Sequence, residues 1–150
     1  TSLKGAPILL HFADCVPVIL AAEGKTQSVG VLHAGREGLM QGVVGRGVLS
    51  MSNQGVAPRS ITAAIGPAIG PCCYEVDDET ASRFADQFGA DLVTGNHLDL
   101  PGAVKQELTG AGVNAGNIAC MDRCTACSSG FYSYRRDGVT GRHGAIAWIE

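Results

Sequence analysis

Short apolar runs bounded by glycine, proline and polar residues fill the first third of the chain, and they predict β-strands. The runs cover residues 7–12, 16–20 and 28–33, and the polar segment 23–27 predicts a hairpin that pairs the second strand with the third. Residues 37–52 instead repeat apolar side chains at helical spacing. We therefore expect one glycine-rich helix there that lies close against a sheet.

The rest of the chain alternates further strands and helices without a regular βαβ order. Extended segments are expected at 60–65, 73–76, 118–120 and 144–149, with a Gly-Pro loop at 66–71. Helices are expected from Asp77 or Asp78 to about Phe88, and from 98 to 108 with Asp99 as the cap and Pro101 as the first helical residue. This order predicts a single α+β domain with mixed sheets rather than a doubly wound parallel sheet.

The composition is that of a globular domain with a substantial core, since 45% of the 150 residues are hydrophobic and 17% are charged. A net charge of −3 gives no electrostatic case for binding nucleic acid or an anionic membrane surface, and no apolar run reaches the length of a membrane span. The six cysteines lack the density of a disulfide-stapled secreted scaffold. We therefore expect mostly reduced thiols and a cytoplasmic location.

Cys15 and His33 are the most chemically capable side chains of the predicted hairpin, because they lie at neighbouring strand ends. The residues alone leave three interpretations open. A thiol and an imidazole can be two zinc ligands, a nucleophile and its base in a hydrolase, or a packed thiol and a strand-end histidine. Asp14, beside Cys15, is a candidate acid, base or orienting group.

An aromatic and basic segment near the end of the chain supplies candidate anion ligands. Arg135, Arg136 and Arg142 are the candidates for phosphate or substrate binding, because guanidinium groups bind such anions bidentately. His97 and His143 are expected to be loop residues rather than metal ligands.

The remaining cysteines only partly fit a metal motif. Cys120, Cys124 and Cys127 resemble half of a structural knuckle, whereas a structural zinc site normally has a second pair of ligands. The adjacent residues Cys72 and Cys73 leave no room for paired chelation in the usual geometry. We therefore expect no structural metal at these cysteines.

Six segments together resemble one known family. In order they are Ala-Asp-Cys-Val-Pro-Val (13–18), His-Ala-Gly (33–35), Ile-Gly-Pro-Ala-Ile-Gly-Pro-Cys-Cys-Tyr-Glu-Val (65–76), His-Leu-Asp-Leu-Pro (97–101), Cys-Thr-Ala-Cys (124–127) and Phe-Tyr-Ser-Tyr-Arg-Arg-Asp-Gly-Val-Thr-Gly-Arg (131–142). The set resembles the YfiH-type multicopper polyphenol oxidase (laccase-domain) family, also called the peptidoglycan editing factor or purine nucleoside phosphorylase family. Where the family usually continues His-Ala-Gly with Trp-Arg-Gly, this chain has Arg36-Glu37-Gly38.

The resemblance implies an α+β fold in which residues 1–150 form a single YfiH-like domain with layers of helix, sheet, sheet and helix. It also implies a zinc site made by two histidines and one cysteine, and Cys15 and His33 match two of these ligands. The family's third ligand is a histidine upstream of the Ala-Asp-Cys segment, at a point that would precede Thr1. We therefore expect the chain to lack its N-terminal part, with His11 as an alternative ligand.

The activity that the resemblance implies is that of a zinc-dependent purine nucleoside enzyme. Such an enzyme phosphorolyses adenosine, inosine, guanosine and methylthioadenosine and deaminates adenosine, with Cys15 and His33 as the matching residues and with a purine nucleoside and phosphate as partners. Deamination also needs an acid or base, for which Asp14 and Glu75 are the candidates, and Asp14 is expected to be catalytic together with Cys15 and His33. Three alternatives stay open: a Cys-His hydrolase or amidase that edits peptidoglycan precursors, a laccase-like polyphenol oxidase, and a non-catalytic metal- or partner-binding module. Copper is less expected than zinc, because several His-rich copper sites would need more than the four histidines present.

Overall fold

Strands built from the predicted apolar runs form the centre of the fold. The computed structural model describes residues 1–23 and 27–150. Its strands are β1 (Ile8–Phe12), β2 (Val16–Ala22), β3 (Ser28–Ala34), β4 (Thr62–Ile65), β5 (Val93–Thr94), β6 (His97–Leu98), β7 (Ile118–Cys120) and β8 (His143–Ala147). Its helices are α1 (Arg36–Met40), α2 (Val43–Ser52), α3 (Asp78–Phe88), α4 (Leu100–Gly110) and α5 (Tyr134–Asp137). Within those described ranges, no helix combines the length and the apolar character that crossing a membrane requires.

Strand β2 lies between β3 and β4 in a four-stranded sheet whose order is β3-β2-β4-β7. It pairs antiparallel with β3, from Val16 opposite Ala34 to Ala22 opposite Ser28, which confirms the predicted hairpin partners. The predicted turn includes residues 24–26, which lie outside the described part of the chain. Strand β4 pairs antiparallel with β2 but parallel with β7. The sheet is therefore mixed, and the predicted α+β class is confirmed.

The single helix expected over residues 37–52 is wrong, because the backbone divides it into α1 and α2 at Gly42. Gly42 has a φ of 72°, a left-handed conformation that glycine adopts without the steric cost of a side chain. Gly47 brings α2 close against the sheet as predicted. A Cβ at that position would lie 2.7 Å from Leu32 Cδ1 on β3, so only a hydrogen fits between the two elements.

Two expected extended segments differ from the structure. The strand expected over 60–65 starts two residues late, because a 3₁₀ turn precedes it. The segment expected to be extended over 73–76 starts later, since a turn covers 71–73 and the N–H groups of Cys73 and Tyr74 bond back to Gly70 O. Beyond the turn, an isolated antiparallel bridge joins Glu75 to His97. His97 itself lies in β6 and not in a loop.

Aspartates cap α3 and α4 where the sequence predicts them. The Asp77 carboxylate accepts a hydrogen bond from Thr80 N at 2.8 Å, and Asp99 Oδ1 accepts one from Gly102 N at 2.9 Å. Pro101 is the second helical residue rather than the first, because α4 begins at Leu100. Proline is tolerated there, since an amide in the first turn has no acceptor within the helix.

The four-stranded sheet is covered on both faces. Helix α2 packs on β3 from one side, while the antiparallel pair of β1 and β8 packs on β2 and β3 from the other. In consequence Val16, Val18 and Leu20 are fully buried in the main core. A smaller core between the two sheets contains Phe12 and Val31. Layers of helix, sheet and sheet thus follow one another, and β2 contributes to both cores, with Val16 in the main core and Ile19 beside the smaller one.

The Asp99 cap can be tested by its effect on stability. We expect Asp99→Ala to lower the free energy of unfolding by about 1 kcal/mol, because Gly102 N loses its acceptor at the start of α4. Asp99→Ser is the matched control, since a serine hydroxyl can accept the same hydrogen bond. Urea unfolding followed by circular dichroism measures both variants, and equal losses would contradict the assigned cap.

Candidate active site

An open cleft of about 500 Å³ lies beside the first residues of β2. Its lining residues are His11, Ala13, Asp14, Cys15, His33, Ile69, Tyr74, Tyr134, Arg135 and Arg142. The fold therefore brings five of the six residues selected from the sequence into one cleft, and Arg136 is the exception. Three further lining residues were not selected from the sequence: Ile69 and Tyr74 reach the cleft from the segment before α3, and Tyr134 reaches it from the start of α5.

The hairpin of β2 and β3 sets Cys15 and His33 on either side of one glycine. A Cβ built on Gly35 would lie 2.8 Å from Cys15 Sγ and 4.0 Å from His33 Cδ2. Glycine fits this position because any side chain would collide with the thiol. The His33 ring is further held by Phe12, which stacks on it with 4.6 Å between ring centroids.

Burial shifts the pKa of both side chains. It raises the pKa of the Cys15 thiol, and the negative charge of the neighbouring Asp14 raises that pKa further. Burial also lowers the pKa of His33, which keeps the imidazole neutral. A neutral imidazole is the form that binds a metal ion or acts as a base.

Asp14 is held by loops that are far away in the sequence. Its side chain is buried, with Oδ1 accepting a hydrogen bond from Thr125 Oγ1 at 2.6 Å and Oδ2 accepting one from Arg135 N at 2.7 Å. Its carbonyl oxygen accepts from Ile69 N at 2.8 Å. Its φ of 87° is a left-handed conformation that aspartate tolerates better than most residues. Asp14 thus joins two loops and the start of α5 around the cleft, and no local pattern indicates its partner Thr125.

Arg135 forms one wall of the cleft together with Tyr74. Its guanidinium lies over the Tyr74 ring, 5.0 Å from the centroid, in a cation–π contact. Its Nη1 also donates to the carbonyl oxygens of Glu75 at 2.8 Å and Cys73 at 3.4 Å. These contacts orient the side chain while leaving part of the guanidinium directed at the cleft.

Arg142 and Arg136 have different surroundings. Arg142 is an exposed lining residue whose Nη1 donates to the carbonyl oxygens of Thr140 and Gly141. Arg136 does not line the cleft, because its side chain is directed at another loop. Its guanidinium donates to the carbonyl oxygens of Thr125, Ala126, Ser128 and Phe131 and pairs with Asp137.

Cys15 and His33 do not belong to a complete set of metal ligands within residues 1–23 and 27–150. No group of three or more Cys, His, Asp or Glu ligand atoms lying within 4.8 Å of one another includes them. His11 lines the same cleft but is not part of such a group. His143 lies in β8, contrary to its expected loop position, and its ring contacts the ring of Phe131.

Four cysteines come together outside the cleft, which contradicts the expectation drawn from their spacing. The sulfurs of Cys72, Cys73, Cys124 and Cys127 all lie within 4.8 Å of one another, a group that can hold a metal ion. The adjacent residues Cys72 and Cys73 take part because they lie in the turn at 71–73, where both thiols reach Cys127. Cys120 is not a member of this group, although the sequence pattern suggested it.

Arg36 and Glu37, which replace the usual Trp-Arg pair, lie outside the cleft lining. Arg36 Nη2 pairs with Glu37 Oε1 at 2.6 Å, and Arg36 Nη1 donates to Thr80 Oγ1 at 3.2 Å. The pair therefore joins the start of α1 to α3.

Comparison with known proteins gives consistent matches over the whole chain. Residues 1–150 match the family model described as multi-copper polyphenol oxidoreductase laccase. A protein from Geobacillus stearothermophilus named purine nucleoside phosphorylase YlmD is 39% identical, with 95% of this chain and 56% of the relative covered. A protein from an unknown prokaryotic organism named adenosine deaminase RL5 is 36% identical, with 93% of this chain and 56% of the relative covered.

A solved structure supports the same relationship. The crystal structure of a hypothetical protein YfiH from Bacillus licheniformis matches with a TM-score of 0.91 and 34% identity, covering 99% of this chain and 60% of that one. The chain thus spans a little more than half the length of the relatives that it matches. The expected YfiH-like fold is confirmed by this likeness.

The hydrogen bond between Thr125 and Asp14 generates a prediction. We expect Thr125→Val to lower the free energy of unfolding by about 2 kcal/mol, because a buried carboxylate oxygen loses its donor without gaining water. Thr125→Ser keeps the hydroxyl and should lose much less. Thermal and urea unfolding compare the two variants, and an equal loss for both would show that the methyl group matters rather than the hydrogen bond.

Proposed function

The chain belongs to the multi-copper polyphenol oxidoreductase laccase family, and within it we propose a zinc-dependent purine nucleoside enzyme that uses the cleft of Cys15 and His33. The proposed reactions are phosphorolysis of a purine nucleoside and hydrolytic deamination of adenosine. The relatives named purine nucleoside phosphorylase and adenosine deaminase support this choice of substrate class. The observation that carries the proposal is one cleft lined by a thiol, two imidazoles, two guanidinium groups and two phenol rings.

Two side chains of the cleft are suitable ligands for one zinc ion. A cysteine sulfur and a histidine nitrogen are ligands that zinc accepts, and the two side chains flank the same glycine. Cys15 and His33 would hold the ion, and the proposed third donor is a histidine outside residues 1–150, with His11 as the candidate within them. A zinc ion bound there would lower the pKa of a bound water and attract a phosphate oxygen.

The other lining residues supply binding and orientation. Arg135 and Arg142 would bind phosphate through charge-assisted hydrogen bonds, while Tyr74 and Tyr134 offer aromatic faces to a purine base. Asp14 would act as a positioning residue, since both of its carboxylate oxygens already accept hydrogen bonds. Its hydrogen bond with Arg135 N holds the start of α5 at the cleft. Tyr134 and Arg135, two of the proposed binding residues, lie there.

Substitution of Cys15 tests the proposed metal and reaction together. We expect Cys15→Ser to lower the zinc content by one equivalent per chain and to lower inosine phosphorolysis at least a hundredfold, because a serine hydroxyl is a poor zinc ligand. Zinc is measured by plasma mass spectrometry and turnover by phosphate-dependent release of hypoxanthine. Cys120→Ser is the matched control, since Cys120 is not among the residues that line this cleft.

The same variant separates the rival activities. Undiminished zinc together with a thioester trapped on Cys15 of the unsubstituted protein would refute the zinc enzyme and support a Cys-His hydrolase. Oxidation of a phenol by the copper-loaded protein, with no nucleoside turnover, would instead support a polyphenol oxidase. A protein that binds zinc but turns over none of these substrates would overturn the proposal in favour of a binding module.

The phosphate role of Arg142 can be tested on the Michaelis constants. We expect Arg142→Ala to raise the KM for phosphate about tenfold while changing the KM for inosine little, since a hydrogen bond to a charged group contributes about 1.5 kcal/mol or more. Arg59→Ala is the matched control, because Arg59 is an exposed arginine in the 3₁₀ turn at Pro58–Ser60. Equal changes for the two variants would contradict the assignment.

A further inference from the structure

Two irregular loops meet at the four cysteines outside the cleft. Cys72 and Cys73 belong to the turn that follows the Gly-Pro loop, and Cys124 and Cys127 belong to a turn after β7. Cys72 and Cys127 are exposed and the other two are partly exposed, so an ion can reach the sulfurs from solvent. We propose that the four thiolates form a structural site for one zinc ion, separate from the cleft of Cys15 and His33.

The spacing of the sulfurs fits one tetrahedral ion. With zinc–sulfur bonds of about 2.3 Å, tetrahedral geometry separates neighbouring sulfurs by roughly 3.8 Å. The Cys127 sulfur lies 3.3 Å from that of Cys72 and 3.2 Å from that of Cys73, and all four sulfurs lie within 4.8 Å of one another. These separations are far above the roughly 2.05 Å of a disulfide bond. A multi-iron cluster would hold the sulfurs farther apart, since they would bind different iron atoms.

The local backbone already favours a thiolate at one of the four positions. Gly70 N donates to Cys124 Sγ at 3.3 Å, and the Cys-x-x-Cys turn directs the N–H groups of Ala126 and Cys127 at the same sulfur. Hydrogen bonds of this kind orient a ligand and stabilise its negative charge when a metal binds.

A nearby cation offsets the charge of the loaded site. A zinc ion with four thiolates carries a net charge of −2, and its formation releases the thiol protons to solvent. The Arg136 guanidinium lies against the Cys-x-x-Cys turn. Its Nη1 donates hydrogen bonds to Thr125 O at 3.1 Å, Ala126 O at 3.4 Å and Ser128 O at 2.9 Å. The guanidinium also pairs with Asp137, so only part of its positive charge is left to offset the charge of the site.

The proposed site would also hold a wall of the cleft, although it does not depend on the function proposed for that cleft. Cys73 directly precedes Tyr74, and its carbonyl oxygen accepts a hydrogen bond from Arg135 Nη1 at 3.4 Å. Tyr74 and Arg135 both line the cleft. An ion bound by both turns would act as a crosslink between them. It would thereby restrict the motion of the loop that carries Tyr74.

The test uses Cys15→Ser as the background, so that zinc in the cleft does not contribute. We expect this protein to retain one equivalent of zinc and to lose it when Cys72→Ser and Cys127→Ser are added. Cobalt should bind to the background with intense visible bands of a tetrahedral ion and near-ultraviolet sulfur-to-cobalt bands of a tetrathiolate. Cys120→Ser added to the same background is the matched control, because Cys120 is near in sequence but outside the group, and it should keep the ion.

A second measurement tests the proposal even when the variant with all the substitutions does not fold. Titration of the folded background protein with a mercurial thiol reagent should release the zinc as the four sulfurs react, with the melting temperature falling in step. A background protein that takes up neither zinc nor cobalt would overturn the proposal. A mass lower by two hydrogens, with Cys72 or Cys73 crosslinked to Cys127, would replace it with a disulfide, and the absorption of an iron–sulfur cluster would replace it with iron.

Discussion

The buried carboxylate of Asp14 is the constraint on which the arrangement of the cleft depends. A charged group that leaves water must be compensated by hydrogen bonds, and Asp14 obtains them from Thr125 and from the backbone N–H of Arg135. Its carbonyl oxygen accepts a third bond, from Ile69 N. These bonds therefore bring four segments together: the bend before β2, the Gly-Pro loop, the turn that contains Thr125, and the start of α5. Cys15 follows Asp14 directly and takes its position from this network.

Two consecutive arginines hold two different parts of the structure. The side chain of Arg135 lies against Tyr74 at the cleft, while the side chain of Arg136 extends to the turn that contains Cys124 and Cys127. Neighbouring residues of a helical turn project in different directions, so α5 can contact both loops at once. Ser133 begins this helix by accepting a hydrogen bond from Arg136 N. The aromatic and basic segment consequently connects the cleft to the turn that contains Cys124 and Cys127, and it also supplies the candidate anion ligands.

Local patterns were sufficient for the parts of the fold that local forces determine. The hairpin of β2 and β3 follows from apolar runs with a polar break, and the caps at Asp77 and Asp99 follow from side chains that bond within three residues. The break at Gly42 was not visible, because apolar spacing continues through it and only the left-handed backbone ends the helix. Cys15, as the partner of His33 across the hairpin, was likewise within reach of sequence analysis.

Contacts between distant segments were beyond that analysis. Cys72 lies 55 residues from Cys127, and Thr125 lies 111 residues from Asp14, so spacing within a motif cannot reveal either pair. Adjacent cysteines are unsuited to binding one ion when they lie on a regular strand, because successive side chains there point to opposite faces. In a turn their side chains can converge, and the second loop then supplies the other two sulfurs. The Gly-Pro loop thus contributes Ile69 to the cleft, and the turn that follows it contributes two cysteines to the cluster and leads directly into Tyr74 of the cleft. The position of Tyr74 therefore depends on the same turn that holds Cys72 and Cys73.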